Sequence, residues 1–242
     1  MKQQISTRGE ASNCQSLTHR RCGRRFWRWR LAKRPLPPLL IFGLLVLLVV
    51  PVLWLVTCGE CFFSLTHRVP PEVLVVEGWI GQRGLQAAAD EFARDGYKYV
   101  VATGGRTDNP RLSSSYAEIA GQELIRLGIP EDRIIVAASG EIQHQRTFNS
   151  AVAAWRALQD RGIRPRHANL LTLGPHARRS QLVYSKVFAP ATNVGVIAWV
   201  PADYGNTPWW RSVRRTKCLF KEIVGYPFEL LLNSGRISNS PG

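Results

Sequence analysis

Residues 36–59 contain no charged side chain, and most positions are Leu, Val, Ile, Phe or Trp. A helix needs about 20 such residues to cross a bilayer, and this run is longer. Prolines gather at its start (Pro35, Pro37, Pro38), where a helix tolerates them, and only Pro51 lies deep enough to kink it. Beyond a linker over 60–71, short apolar runs alternate with helical spacing. Residues 73–76 predict a strand buried on both faces. Over 81–95 the stripe Leu85, Ala88, Ala89 and Phe92 predicts a helix. A second strand is expected over 97–102. A helix over 115–127 opens with a Ser115-x-x-Glu118 capping box and stops at Gly128 and Pro130. Strands over 134–137, 169–173 and 194–200 then alternate with helices over 148–160, 176–188 and 210–232.

Strands alternating with helices of this length imply βαβ units and an α/β fold: a three-layer, doubly wound, mainly parallel five-stranded sheet covered on both faces. The chain therefore divides into an arm (1–35), a transmembrane helix (36–59), a linker (60–71) and an α/β domain ending in a helix (72–242).

Charge orients this layout. The net charge is +15, but its placement matters more than its size. Residues 1–35 carry ten Lys or Arg and one acid, Glu10, whereas the rest is only mildly basic. Charge confined beside an apolar run points to a membrane surface rather than to nucleic acid. The cationic flank from Arg20 to Arg34 keeps the arm in the cytoplasm, with Trp27 and Trp29 at headgroup level. The expected product is a single-pass protein of the inner (cytoplasmic) membrane with a periplasmic or extracytoplasmic domain. A cleaved signal peptide is the alternative, although the run exceeds the ~7–15 residues of a signal core. Cys58 and Cys61 have C-x-x-C spacing without a second metal pair, so no zinc site is expected. A small disulfide and two free thiols both fit them.

In open parallel sheets ligands bind beyond the carboxyl ends of the strands. The loops there read Glu77-Gly78-Trp79, Thr103-Gly104-Gly105-Arg106, Ala138-Ser139-Gly140-Glu141 followed by Arg146-Thr147-Phe148-Asn149, and Gly174-Pro175-His176-Ala177-Arg178-Arg179. None is a G-x-G-x-x-G or a P-loop, so no nucleotide cofactor is signalled and the cofactor stays unassigned. Small residues, hydroxyls and cations favour an anion: Gly78, Thr103, Gly104 and Gly105 as ligand-binding positions, with Arg106, Arg146 and Arg179 for phosphate or carboxylate. His176 is the candidate acid or base, with Glu77 and Glu118 as candidate catalytic carboxylates. Each has a structural alternative: a strand-end carboxylate for Glu77, and the capping partner of Ser115 for Glu118. No nucleophile is identifiable.

The order Val-Val-Glu-Gly-Trp at 75–79, Thr-Gly-Gly at 103–105, Glu118, Arg-Thr-x-Asn at 146–149 and His-x-x-Arg at 176–179 resembles the ElyC/SanA/YdcF family over residues 72–202. The first loop departs from the family's commoner Gly-Gly pair. The resemblance implies a Rossmann-like domain, a role in the bacterial cell envelope and peptidoglycan supply, and a phosphorylated envelope precursor or isoprenoid lipid carrier as ligand. It also implies a pocket of Glu77, Gly104, Gly105, Glu118, Thr147, Asn149, His176 and Arg179. A second expectation is a non-catalytic module that binds a small ligand or docks on wall-synthesis proteins through Trp209, Trp210, Arg211, Arg214 and Arg215, a composition typical of interface hot spots.

Overall fold

A computed structural model describes residues 37–94, 96–107, 113–140, 145–205 and 207–232, so the basic arm and Glu141 lie outside the described residues. By its internal contacts the chain divides after Gly43. The sheet, its helices and the later part of the first helix belong to the unit that starts at Leu44.

That first helix, α1 (Pro38–Phe63), is the only one among the described residues long and apolar enough to cross a membrane. It continues past Gly59, where the apolar run ends, because its last turns have protein to pack on. Five strands follow: β1 (Val73–Glu77), β2 (Tyr99–Gly104), β3 (Ile134–Ala138), β4 (His167–Leu173) and β5 (Asn193–Trp199). Between them run α2 (Gln82–Phe92), α3 (Tyr116–Arg126), α4 (Arg146–Asp160) and α5 (Ala177–Phe188), and α6 (Val213–Leu232) closes the described chain. The sheet is entirely parallel, in the order β3-β2-β1-β4-β5.

Period-two alternation explains the layers. Val73 and Val75 of β1 join Val101 and Ile135 against Ala151, Ala154 and Leu158 of α4 and Val183, Tyr184 and Phe188 of α5. Leu74 and Val76 point the other way, with Val100 and Ala102, onto Leu85 and Ala88 of α2 and Ala120 and Leu124 of α3. A strand buried on both faces needs an unbroken apolar run, and β1 supplies one.

Three elements differ from their sequence expectation. Tyr97 precedes β2 rather than starting it: its hydroxyl receives a hydrogen bond from Asn169 Nδ2 at 3.0 Å. Arg146 and Thr147 belong to the first turn of α4, not to the loop before it. The last helix is interrupted, with a 3₁₀ turn at Trp209–Arg211 before α6 begins.

The segment between α1 and β1 is fastened at several points. His67 pairs with Val196 of β5, Asn169 holds both the N–H and the C=O of Val69 at 2.9 and 2.8 Å, and Arg68 Nε donates to Glu91 at 2.9 Å. The last turns of α1 pack on α6: Phe63, Leu55, Val56 and Phe62 join Trp209, Leu219, Ile223 and Tyr226 in a separate apolar cluster.

Candidate functional site

The strand order reverses between β1 and β4, and a crevice at such a switch point is where open α/β sheets bind ligands. Here the place is occupied by a cleft of about 670 Å³. Glu77 and Trp79 line it after β1, Gly104 and Gly105 after β2, and Tyr116 from the start of α3. Gln145, Arg146 and Thr147 contribute the N-terminus of α4, and His176 and Arg179 the start of α5. Lys217, Cys218, Lys221 and Glu222 of α6 form the remaining wall. Gln145 is the only non-glycine with positive φ (56°) among the described residues, and no side chain caps α4 behind it. The first turn of that helix borders the cleft through Arg146 and Thr147, and a helix N-terminus favours an anion.

His176 lies at the centre. Its Nδ1 is 2.8 Å from Glu222 Oε1. Arg179 binds the same carboxylate through two nitrogens, Nε to Oε2 at 2.6 Å and Nη2 to Oε1 at 3.1 Å. Burial pushes the Glu222 carboxyl up, but the hydrogen bonds and charges of His176 and Arg179 outweigh it and hold it at about 2. Glu222 is thus ionised and accepts from Nδ1 in the tautomer that carries the proton there, while Arg179 Nη2 stands 3.0 Å from the same nitrogen. In that tautomer Nε2 is the ring nitrogen left to accept a proton. Nε2 stands 3.7 Å from Glu77 Oε2 and 3.4 Å from the Thr147 hydroxyl, while the edge of the ring meets the Trp79 indole, centroids 5.3 Å apart.

Glu77 is only 2% exposed and accepts hydrogen bonds from the hydroxyls of Thr172 and Ser180. Glu77 and Thr172 each follow the last β1–β4 pair, Val76 with Leu171, so the two sides of the switch point are joined by this contact. Glu77 is thus the strand-end carboxylate of the structural alternative, and it stands beside His176.

Seven of the sequence-predicted residues come together in the cleft: Glu77, Gly104, Gly105, Arg146, Thr147, His176 and Arg179. The others lie elsewhere. Glu118 is exposed, and its carboxylate accepts from the Ser115 N–H at 2.6 Å while the Ser115 hydroxyl accepts from its own N–H, so it closes the capping box. Gly78 is a packing residue: a Cβ there would come within 2.3 Å of the Tyr116 carbonyl oxygen. Thr103 is fully buried beneath the cleft, 3.1 Å from the Tyr184 hydroxyl. Arg106 bridges to Ser115 outside the lining, and Asn149, one turn into α4, is not part of it either. Arg179 lines the cleft but commits Nε and Nη2 to Glu222, which makes it first a positioning group.

Sequence reasoning missed the α6 wall. Glu222 is 1% exposed, and burial raises the neighbouring Cys218 thiol. Lys217 and Lys221 are exposed at the rim, without an ion pair among the described residues. The available signal was the pair Glu222 and Glu229, seven apart and so on one side of a helix that also carries Arg215, Leu219 and Tyr226. Of the aromatic and Arg stretch read as a partner surface, Trp209 and Arg215 are internal, Trp209 Nε1 donating to the Val56 carbonyl at 3.2 Å and Arg215 Nε to Glu60 at 3.0 Å, while Trp210, Arg211 and Arg214 are exposed.

Among the described residues no group of three His, Cys, Asp or Glu is placed to hold a metal ion. The chain matches no protein-family model and no curated protein sequence.

Proposed function

We propose that this protein is a membrane-anchored envelope protein of the ElyC/SanA/YdcF type. Its domain stands outside the cytoplasm and binds, then processes, a phosphorylated or pyrophosphorylated cell-wall precursor or lipid carrier. The reading rests above all on His176: a ring fixed by Glu222, with Nε2 turned into a cleft rimmed by Arg146, Lys217 and Lys221. Cations and the first amides of α4 suit the charge of a phosphoryl group, and a positioned imidazole nitrogen suits proton transfer to or from one of its oxygens. The strand order 3-2-1-4-5 supports the Rossmann-like assignment, and α1 supports the anchor.

Binding without turnover is the second reading. It is favoured by Thr147, the hydroxyl nearest Nε2, which stands at 3.4 Å, the outer limit of a hydrogen bond.

Thermal unfolding of the full chain in detergent tests the first. Inorganic phosphate, pyrophosphate, isoprenoid phosphates and wall-precursor nucleotides are added in turn. A ligand at a hundred times its Kd adds about 2.7 kcal/mol. Stabilisation by one of these compounds, lost in a Lys217→Ala, Lys221→Ala double variant, is expected. No stabilisation by any of them sinks the proposal. Phosphate release that His176→Asn abolishes separates processing from binding alone.

A further inference from the structure

α6 has a second face that nothing described covers. At about 100° per residue, Leu219, Glu222, Tyr226 and Glu229 share one broad face, with Leu219 and Tyr226 at its edge toward α1 and Glu222 and Glu229 at its edge toward the cleft. On the side away from the cleft, Val213, Phe220, Val224, Phe228 and Leu231 follow one another at spacings of seven, four, four and three residues. All five are at least half exposed, Val224 at 71% and Leu231 at 79%. Lys221 lies between this stripe and the cleft, and Lys217 within the arc of the stripe; both line the cleft.

We infer that this stripe is a lipid-binding surface: α6 lies in the plane of the bilayer interface, its apolar face in the acyl boundary and its lysines at headgroup level. The inference rests on α1 being a membrane span, as proposed above, and adds the position of the cleft and the physical form of its substrate.

Three observations carry it. First, the exposed apolar part of α1, Leu44 to Trp54, runs directly into the turns that α6 packs on, so the two apolar surfaces are continuous. About 20 residues of α1 cross a bilayer core, which ends the crossing near Thr57. The contacts made by α6 fall at that level, at Leu55, Val56, Gly59 and Glu60.

Second, α6 runs across α1 rather than beside it. Arg215 meets Glu60, and Tyr226, about 16 Å further along α6, meets Phe62 and Phe63, only two or three residues further along α1. A helix that crosses an upright span at its end lies flat on the membrane.

Third, the chemistry around the stripe is interfacial. Trp210, 50% exposed, stacks edge-on against Trp209, whose indole is tied to Val56. An indole at this height and lysines beside an apolar face are what headgroups select. With the stripe inserted, Lys217 and Lys221 bring the cleft mouth to the phosphate level of the leaflet. The substrate class is then a phosphorylated amphiphile taken from the membrane, its chain left among the lipids.

A photo-reactive phenylalanine analogue, placed in the full chain reconstituted into phosphatidylethanolamine–phosphatidylglycerol vesicles, tests this. Four sites are compared: Leu47 in α1, Phe220 and Phe228 on the stripe, and Ile125, an exposed apolar residue of α3 (42%). Lipid adducts at Phe220 and Phe228 in the yield seen at Leu47, with loss of lipid adduct at Ile125, are expected. Lipid adducts at Leu47 but protein–protein adducts, or none, on the stripe overturn the inference and leave the anchor standing. No lipid adduct at Leu47 removes the anchor and the inference with it.

Discussion

His176 Nδ1 and Glu222 Oε1 are 2.8 Å apart although 46 residues separate them in the chain. The contact fastens α6 to the start of α5 and completes the cleft, which the strand-end loops alone would leave open on one side. The adjoining edge of the same face of α6 holds α1 through Leu219, Tyr226 and Arg215. One helix therefore joins the last turns of α1 to the candidate catalytic imidazole.

Replacing Glu222 by Gln keeps an acceptor for Nδ1 but removes the charge that compensates Arg179, whose side chain is 13% exposed. Leaving one member of a buried pair uncompensated costs about 3 kcal/mol, on the order of 10 °C in Tm for a chain of this size. Thermal unfolding of the full chain reads this directly. A Tm equal to that of the wild type would show that the pair contributes nothing.

The same group gives an acid limit. The Glu222 carboxyl is held at about 2, below its ordinary 4.5. A carboxyl lowered on folding contributes stability that is fully present above its unfolded value and is lost as pH falls through the folded one. Stability should thus decline between about pH 4.5 and pH 2, by about 3 kcal/mol in all for this group. Glu222→Gln should flatten that part of a Tm-against-pH curve. An unchanged slope in the variant would assign the acid limit to other carboxylates.

The residues show why some of this was legible in sequence and some was not. β1 is five apolar or strand-end positions in a row, and Ser115 and Glu118 announce a helix start by spacing alone; such local signals survive without tertiary information. The loops after β1, β2 and β4 were placed correctly because a parallel sheet puts its carboxyl ends at one edge. Glu222 was not legible. Its role depends on where α6 packs, and that is set by Leu219, Ile223 and Tyr226 meeting the end of α1, a contact between residues about 160 apart. Thr103 and Gly78 failed as ligand positions for a related reason. Both follow a strand in the right order, but one side chain turns into the core and the other position has no room for a side chain.

Two changes around α3 separate capping from catalysis. Ser115→Ala removes the hydroxyl that accepts the Glu118 N–H at 3.1 Å and should cost about 1 kcal/mol. Glu118→Gln should leave pyrophosphate binding at the wild-type level, because the carboxylate belongs to the cap and not to the cleft. Loss of binding in Glu118→Gln with the fold intact would return that residue to the site.

Gly104 carries the sharpest steric prediction. It ends β2 at φ 153°, and a Cβ there would stand 2.7 Å from Tyr116 Cβ and 3.3 Å from the Ala117 nitrogen. Those atoms are the first turn of α3, which cannot give way without moving Tyr116 in the cleft wall. Gly104→Ala should therefore cost about 1–3 kcal/mol and weaken anion binding as well, since relief of the clash shifts the lining. Gly140→Ala is the control: nothing among the described residues lies within 4 Å of a Cβ built there, and its stability should stay within about 0.5 kcal/mol of the wild type. Thermal unfolding with and without pyrophosphate measures both quantities on each variant. A Gly104→Ala protein as stable and as responsive to pyrophosphate as Gly140→Ala would mean that α3 moves freely against β2, and the rigid wall assigned to Tyr116 would have to be given up.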